Sequence, residues 1–224
     1  LIGRFIYYYQ LRKQKILLEK QLAVQYERQR ISAEMHDDIG AGLSGIRLMT
    51  EMAKMKSKDD ETGSEIEKIY NSVGDISSKM KEVIWSLNTE NDSLGNLLSY
   101  LQKQARQMME NYPGSFTITI PEQIPDIKIG GETRRHIYLT VKEALHNIIK
   151  HSGADKINLV IACAGKLIIK VSDNGKGMNT GDSSNSGNGL KNMRNRMEQI
   201  GGNFSVENNQ GLTLIFEIPL KPAL

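Results

Sequence analysis

Four side chains of complementary chemistry fall on one helical face. Glu143, Asn147, Lys150 and His151 stand at i, i+4, i+7 and i+8, positions that stack along a helix. They form a polar stripe on a segment otherwise apolar at Ile137, Leu139, Val141, Leu145 and Ile148. Glu143 and Asn147 can supply oxygen to Mg2+, with water completing the octahedron; an ammonium and an imidazole beside them suit phosphate. Downstream, Asp173-Asn174-Gly175-Lys176-Gly177 follows an apolar strand pattern, and Gly187-Asn188-Gly189 precedes a helical one. Glycines let a backbone approach a ligand closely. A helix starting after Gly189 offers free N–H groups and the positive end of its dipole to an anion. By themselves two glycine-rich turns fit a hairpin and a flexible loop just as well. The polar helix face before them is the odd arrangement for structure only.

These residues need elements to carry them. All five prolines fall at Pro113 or later, so residues 10–111 read as proline-free helix, weakened at the charged, glycine-containing gap from Lys58 to Gly63. Ile66, Ile69, Val73, Ile76, Met80, Val83 and Leu87 alternate spacings of three and four, an unbroken heptad seam. An earlier helix sets Ile31, Met35, Ile39, Leu43, Ile46 and Met49 on one face. A hairpin of two such helices cannot enclose its own seam. Pairing of two copies into a four-helix bundle solves that, and cover from a core elsewhere in the chain is the alternative. Residues 10–30 read as a charged helix with weaker heptads at Leu11, Leu18 and Leu22. The second region reads as helix 93–111, strand 116–120, helix 132–150, strands 156–162 and 166–172, helix 190–200, and strands 203–207 and 212–218. That alternation predicts an α/β sandwich, one sheet with helices on one face.

Composition sets the bounds. The chain has 224 residues, 25% charged and 39% hydrophobic, an ordinary soluble balance with room for one or two cores. A net charge of +3 is too small to argue for nucleic acid, and no Lys/Arg run interleaves with aromatics as in single-strand binders; no nucleic-acid partner is expected. Cys163 is the one cysteine, which rules out an internal disulfide and argues against a cysteine-based zinc site; it reads as a buried apolar strand residue. No apolar run reaches the roughly 18 residues of a membrane span. Tyr7-Tyr8-Tyr9 followed by Arg12, Lys13 and Lys15 nevertheless reads like the cytoplasmic edge of one, so residues 1–9 are expected to be the end of a truncated transmembrane segment.

At Glu143-Ala144-Leu145-His146-Asn147-Ile148-Ile149-Lys150-His151 a specific resemblance appears. This stretch is similar to the N box of the GHKL ATPases, the group named for gyrase, Hsp90, histidine kinases and MutL. Asp173–Gly177 looks like their G1 box and Gly187–Leu190 like their G2 box, in matching order and spacing. The resemblance implies a Bergerat ATP-binding fold over residues 91–224. It assigns Asn147 to Mg2+, Glu143 to a water in the metal shell, Lys150 and His151 to phosphates, and Gly175, Gly177, Gly187, Gly189 and Leu190 to the nucleotide cradle. Asp173 would accept from the adenine amino group, which fits an ionised carboxylate that only accepts. Thr213 would support adenine through water, although Leu212 stands where the family often has a second Gly. No F box is evident, leaving the short loop of residues 178–188 as the ATP lid.

A second resemblance covers Glu27-Arg28-Gln29-Arg30-Ile31 and the His36-Asp37 that follows. It is similar to the phosphoacceptor helix of the histidine kinase subfamily that contains the nitrate and lipid-fluidity sensors. Trp85-Ser86-Leu87-Asn88, then Asp92-Ser93-Leu94, resembles the joint between bundle and ATPase in such sensors. The implied organisation is a signalling helix over 10–30, a dimerisation and histidine phosphotransfer domain over 31–90, and a catalytic domain over 91–224. The implied protein is a homodimeric sensor histidine kinase, the cytoplasmic portion of a bacterial inner-membrane protein, using ATP and Mg2+ and passing phosphate to a response regulator receiver domain. His36 would be the phosphoacceptor and Asp37 the base that takes its ring proton. His136 and His146, without such context, read as surface or packing residues. A serine-directed or clamp-type GHKL ATPase would lack the phosphoacceptor bundle, and a dead signalling dimer would have lost His36, Asn147 or Asp173. One departure stands out: where the subfamily commonly places a Gln five residues after the His, this chain has Ala41. A methyl group cannot orient water, so kinase activity is expected to dominate over phosphatase activity.

Overall fold

The computed structural model describes residues 2–56, 60–178, 188–208 and 211–220. They belong to two compact units, Leu1–Thr89 and Glu90–Leu224.

The first unit is helical. Helix α1 (Ile2–Glu34) runs through a π-helical turn (Met35–Ile39) into α2 (Gly40–Lys56), and α3 (Asp60–Leu87) follows. The separate helices expected over 10–30 and from 31 onward are therefore one unbroken helix. The chain has no proline there, and Gly40 keeps helical angles (φ −63°, ψ −44°) while its N–H donates to the Met35 carbonyl. Helices α2 and α3 run antiparallel. Arg47 Nη2 donates to the Tyr70 hydroxyl at 2.6 Å, Lys54 pairs with Glu67, and Gly40 lies against Met80. The α1 end joins in: Arg28 Nη2 donates to the Ser86 carbonyl at 3.0 Å and Gln29 Nε2 to the Thr89 hydroxyl at 3.3 Å. Ser86 lies among the last carbonyls of α3, which lack intrahelical donors, and a guanidinium also suits that end of the dipole. The heptad seam divides. Val73 and Met80 are buried, while Ile69 and Ile76 are about half exposed (50% and 51%). One neighbouring helix covers only one flank of the stripe.

The second unit is a five-stranded sheet carrying helices on one face. Its elements are α4 (Leu94–Met109), β1 (Ser115–Thr119), α5 (Gly131–His151), β2 (Lys156–Cys163), β3 (Lys166–Asp173), α6 (Asn188–Gln199), β4 (Asn203–Asn208) and β5 (Leu212–Pro219). Strand order is β1-β2-β3-β5-β4. β1 and β2 are parallel, joined across α5, and the remaining pairs are antiparallel. Strict alternation decides the faces: Ile157, Leu159 and Ile161 are buried between exposed Lys156, Asn158 and Val160. Leu167, Ile169, Val171, Leu214, Phe216 and Ile218 continue that inner face.

Helix α4 begins where Ser93 caps it, its hydroxyl accepting from the Asn96 N–H at 3.1 Å. Its buried positions 94, 97, 98, 101, 105 and 109 trace one stripe. Arg134 is completely buried, with Nη2 donating to Asp92 Oδ1 at 2.6 Å and Nε to the Ile129 carbonyl at 3.2 Å. It ties the start of α5 to the segment entering α4. Cys163 departs from expectation: it closes β2 beside the turn to β3 and is half-buried, with partial burial raising its thiol pKa.

Candidate functional site

A cavity of about 470 Å3 opens between α5, the end of β3, the start of α6 and β5. Helix α5 contributes Ala144, Asn147, Ile148 and His151; the turn after β3 adds Gly177 and Met178; α6 adds Gly189 and Leu190; β5 adds Leu212 and Leu214. The walls are mainly apolar and the polar groups few, the usual make-up of a small-molecule site.

Asp173 is the sharpest feature. It is 8% exposed and lines the cavity. Its Oδ1 accepts the Gly175 N–H at 2.8 Å, while Oδ2 is buried without a donor among the described residues. A buried acceptor left unsatisfied is costly, and a ligand amino group in the cavity would satisfy it. The turn carrying Asp173 is fixed from behind. Asn174 Oδ1 accepts from the backbone N–H of Asp155 (3.1 Å) and Lys156 (2.9 Å), and the Lys176 N–H donates to the Ser152 carbonyl at 3.0 Å. Asn174 and Ser152 were not singled out from sequence. The asparagine at the turn was a signal, but its partners lie 18 and 19 residues away.

The polar face of α5 meets the start of α6. A Cβ built on Gly189 would stand 2.5 Å from Glu143 Oε1 and 3.1 Å from Asn147 Nδ2, so a side chain there would push both away. Asn147, His151, Asp173, Gly177, Gly189 and Leu190 are thus brought to one cavity, with Glu143 at its edge. Gly175 serves the turn through its bond to Asp173. Lys150 is exposed in the last turn of α5 and does not line the cavity. Gly187 and most of the expected lid, residues 179–187, lie outside the described residues. Thr213 is a correction. It pairs with Ser172 on β3, and the neighbours that line the cavity are Leu212 and Leu214. Alternation along a strand turns Thr213 to the opposite face.

Among the described residues no group of three or more His, Cys, Asp or Glu side chains is placed to hold a metal alone. Asn147 and Glu143 fit an ion that takes most of its shell from phosphate and water, as Mg2+ does.

In the helical unit, His36 and Asp37 lie in the π-helical turn. Such single turns inside α-helices recur at functional sites. Neighbouring side chains on an α-helix diverge by about 100°; the wider turn reduces that angle. His36 Nδ1 and Asp37 Oδ1 stand 3.1 Å apart, both side chains 76% exposed. Nε2 is left facing outward from that pair. One turn earlier Arg30 donates to Glu27 at 2.6 and 3.0 Å and to Glu34 at 2.5 Å. Hydrogen bonding to Arg30 holds the Glu27 carboxyl below the usual carboxylate range, and Glu27 in turn raises Arg30. The sequence motif thus reads as a charged ladder along the helix leading to His36.

Comparison with known proteins bears on both units. Residues 27–93 match the HisKA_3 family, described as histidine kinase, and residues 132–222 match HATPase_c, the histidine kinase-, DNA gyrase B- and HSP90-like ATPase family. The sensor histidine kinase LiaS of Bacillus subtilis is 28% identical over 210 residues, covering 91% of this chain and 57% of LiaS. The sensor protein VraS of Staphylococcus aureus is 24% identical over 184 residues, covering 82% of this chain and 52% of VraS. The chain spans about half the length of these curated relatives. Among solved structures, the histidine kinase domain of the Erythrobacter litoralis EL346 blue-light activated histidine kinase superposes with a TM-score of 0.54 at 18% identity, over 80% of this chain and 94% of that one; it shows the shared fold. The two family matches, on separate segments of the chain, together with these relatives identify the chain as a member of the histidine kinases.

Proposed function

We propose that this chain is the kinase core of a two-component sensor: it binds ATP with Mg2+, phosphorylates its own His36, and passes the phosphoryl group to an aspartate of a response regulator. The observation that carries the reading is the His36–Asp37 pair, 3.1 Å apart in an exposed turn, on a chain whose other unit has a cavity with an unsatisfied buried acceptor at Asp173.

Asp37 accepts the Nδ1 proton of His36, which fixes the tautomer and leaves the Nε2 lone pair free. Nε2 attacks the γ-phosphorus; an N–P bond forms as the P–O bond to the departing ADP breaks. The imidazole gains positive charge as this happens, and Asp37 offsets it. Asp173 Oδ2 accepts from the adenine amino group and so orients the base. His151, with Lys150 beside it, supplies donors to the phosphates. Asn147 and Glu143 would hold Mg2+, which supplies neutralisation of phosphate charge when bound. In the second transfer the N–P bond breaks as a regulator carboxylate forms its O–P bond.

The half-exposed Ile69 and Ile76 support a homodimer in which a second copy covers the seam. The exposed Phe5 and Tyr7–Tyr9 at the start of α1 support a place at the cytoplasmic face of a bacterial inner membrane. No helix among the described residues is long and apolar enough to cross a membrane. Ala41, exposed two positions beyond the π turn, supports kinase dominance over phosphatase activity.

The test is incubation with γ-labelled ATP and a purified regulator. His36→Gln should abolish labelling of the chain, acid-labile as phosphohistidine is, while ATP binding persists. Labelling that survives His36→Gln defeats the proposal. On phosphorylated regulator, Ala41→Gln should remove phosphate faster than wild type; equal rates would remove the case for kinase dominance.

A further inference from the structure

One side chain at the cavity's edge has a job that neither the boxes nor the pocket lining assigns. Asn208, the last residue of β4, takes up the whole backbone of Met178. Its Oδ1 accepts the Met178 N–H at 3.1 Å, and its Nδ2 donates to the Met178 carbonyl at 2.7 Å. A carboxamide can do both at once, reproducing the edge of a neighbouring strand. The fit is close on the other side too. Gly177 has φ +67°, and a Cβ there would stand 2.3 Å from Asn208 Oδ1. A side chain at position 177 would be strained by the backbone angle and would also displace the amide. Gly177 and Met178 both line the cavity, as does Leu212, which pairs with Asn208 across β4 and β5. Met178 lies five residues beyond Asp173.

We infer that Asn208 is a positioning residue for the nucleotide: by clamping Met178 it holds the wall of the cavity that follows the Asp173 turn, and so sets how tightly ATP binds. The inference rests on the nucleotide reading of the cavity. Asn208 touches neither the phosphoryl group nor His36 in this account. Its loss should therefore weaken binding and leave transfer at saturation alone.

The experiment uses the full chain. ATP affinity in the presence of Mg2+ is measured by titration calorimetry, autophosphorylation gives KM and kcat, and differential scanning calorimetry without nucleotide gives Tm. Asn208→Ala removes two hydrogen bonds and should raise Kd and KM about tenfold, with kcat within about twofold and Tm little changed. Asn208→Asp keeps the acceptor for the Met178 N–H but sets a carboxylate against the Met178 carbonyl, so it should weaken binding at least as much. Asn208→Ala with wild-type Kd overturns the inference. So does a fall in Tm and kcat at unchanged KM, which would mark Asn208 as structural only. If wild type itself fails to bind ATP, the nucleotide reading falls, and the role of Asn208 with it.

Discussion

In residues 90–224, Leu94, Leu97, Leu98, Leu101, Ile137 and Leu145 are at most 1% exposed, and the same unit holds a shaped cavity. In residues 1–89 the buried hydrophobic residues among those described are Val73 and Met80, while Ile46, Met49, Met52, Ile69 and Ile76 are each about half exposed or more. The sheet unit completes its core from its own sequence. The hairpin has an apolar stripe that one chain leaves partly open. A site that binds a small molecule needs rigid walls, and a closed core supplies them. In the proposed function a phosphoacceptor meets a nucleotide and then a second protein, which needs exposure, and the His36 side chain is 76% exposed. The difference between the units follows the difference between holding and handing over.

The largest effect should come from charging the open stripe. Ile69→Lys with Ile76→Lys would bury unpaired ammonium groups against a second copy and should convert a dimer wholly to monomer in light scattering at micromolar concentration. A dimer that survives would place the interface elsewhere and break the contrast between the units.

Next in size are core truncations. Leu97→Ala, at a site with no exposure, should cost the sheet unit about 3 kcal/mol in denaturant unfolding. Met49→Ala, 71% exposed within one chain, should change the unfolding of a monomeric variant by at most about 0.5 kcal/mol. A larger cost that grows with protein concentration would sharpen the contrast by showing Met49 inside a dimer contact.

The smallest expected effect is a pH dependence confined to the sheet unit. Burial lowers the pKa of His136; Glu132 opposes the shift, and Arg135 and Arg196 add to it. Its Nδ1 is buried without a partner among the described residues. The folded state therefore binds this proton less readily than the unfolded chain does. The stability this residue permits is present above the unfolded histidine value of about 6.5 and is lost as pH falls through the lower folded value. Tm should drop modestly between pH 7.5 and 5.5, and His136→Gln should flatten that drop. An unchanged slope would show that the loss arises elsewhere.

Much of this protein was legible in its sequence because the signals are local. The period-2 patterns of β2 and β3, the stripe of α4 and the spacing of Glu143, Asn147 and His151 are set within a few residues, and the elements formed within one or two positions of where those patterns place them. The motifs around His36, Asn147 and Asp173 carry the family resemblance within short stretches of sequence. Other features were not local. Whether Thr213 or its neighbours face the cavity depends on how β5 registers against β3. The π turn at His36 depends on backbone hydrogen bonds that no residue type announces, since Gly40 kept ordinary helical angles. The half-open seam from Ile69 to Ile76 depends on which flank α2 covers. Asn208 reaches Met178 across 30 residues of chain. Residue type and spacing fixed the chemistry available, because periodicity and motif are properties of neighbours along the chain. The meeting of groups distant in sequence came only with the tertiary structure, because strand register and helix packing are settled by the whole core at once.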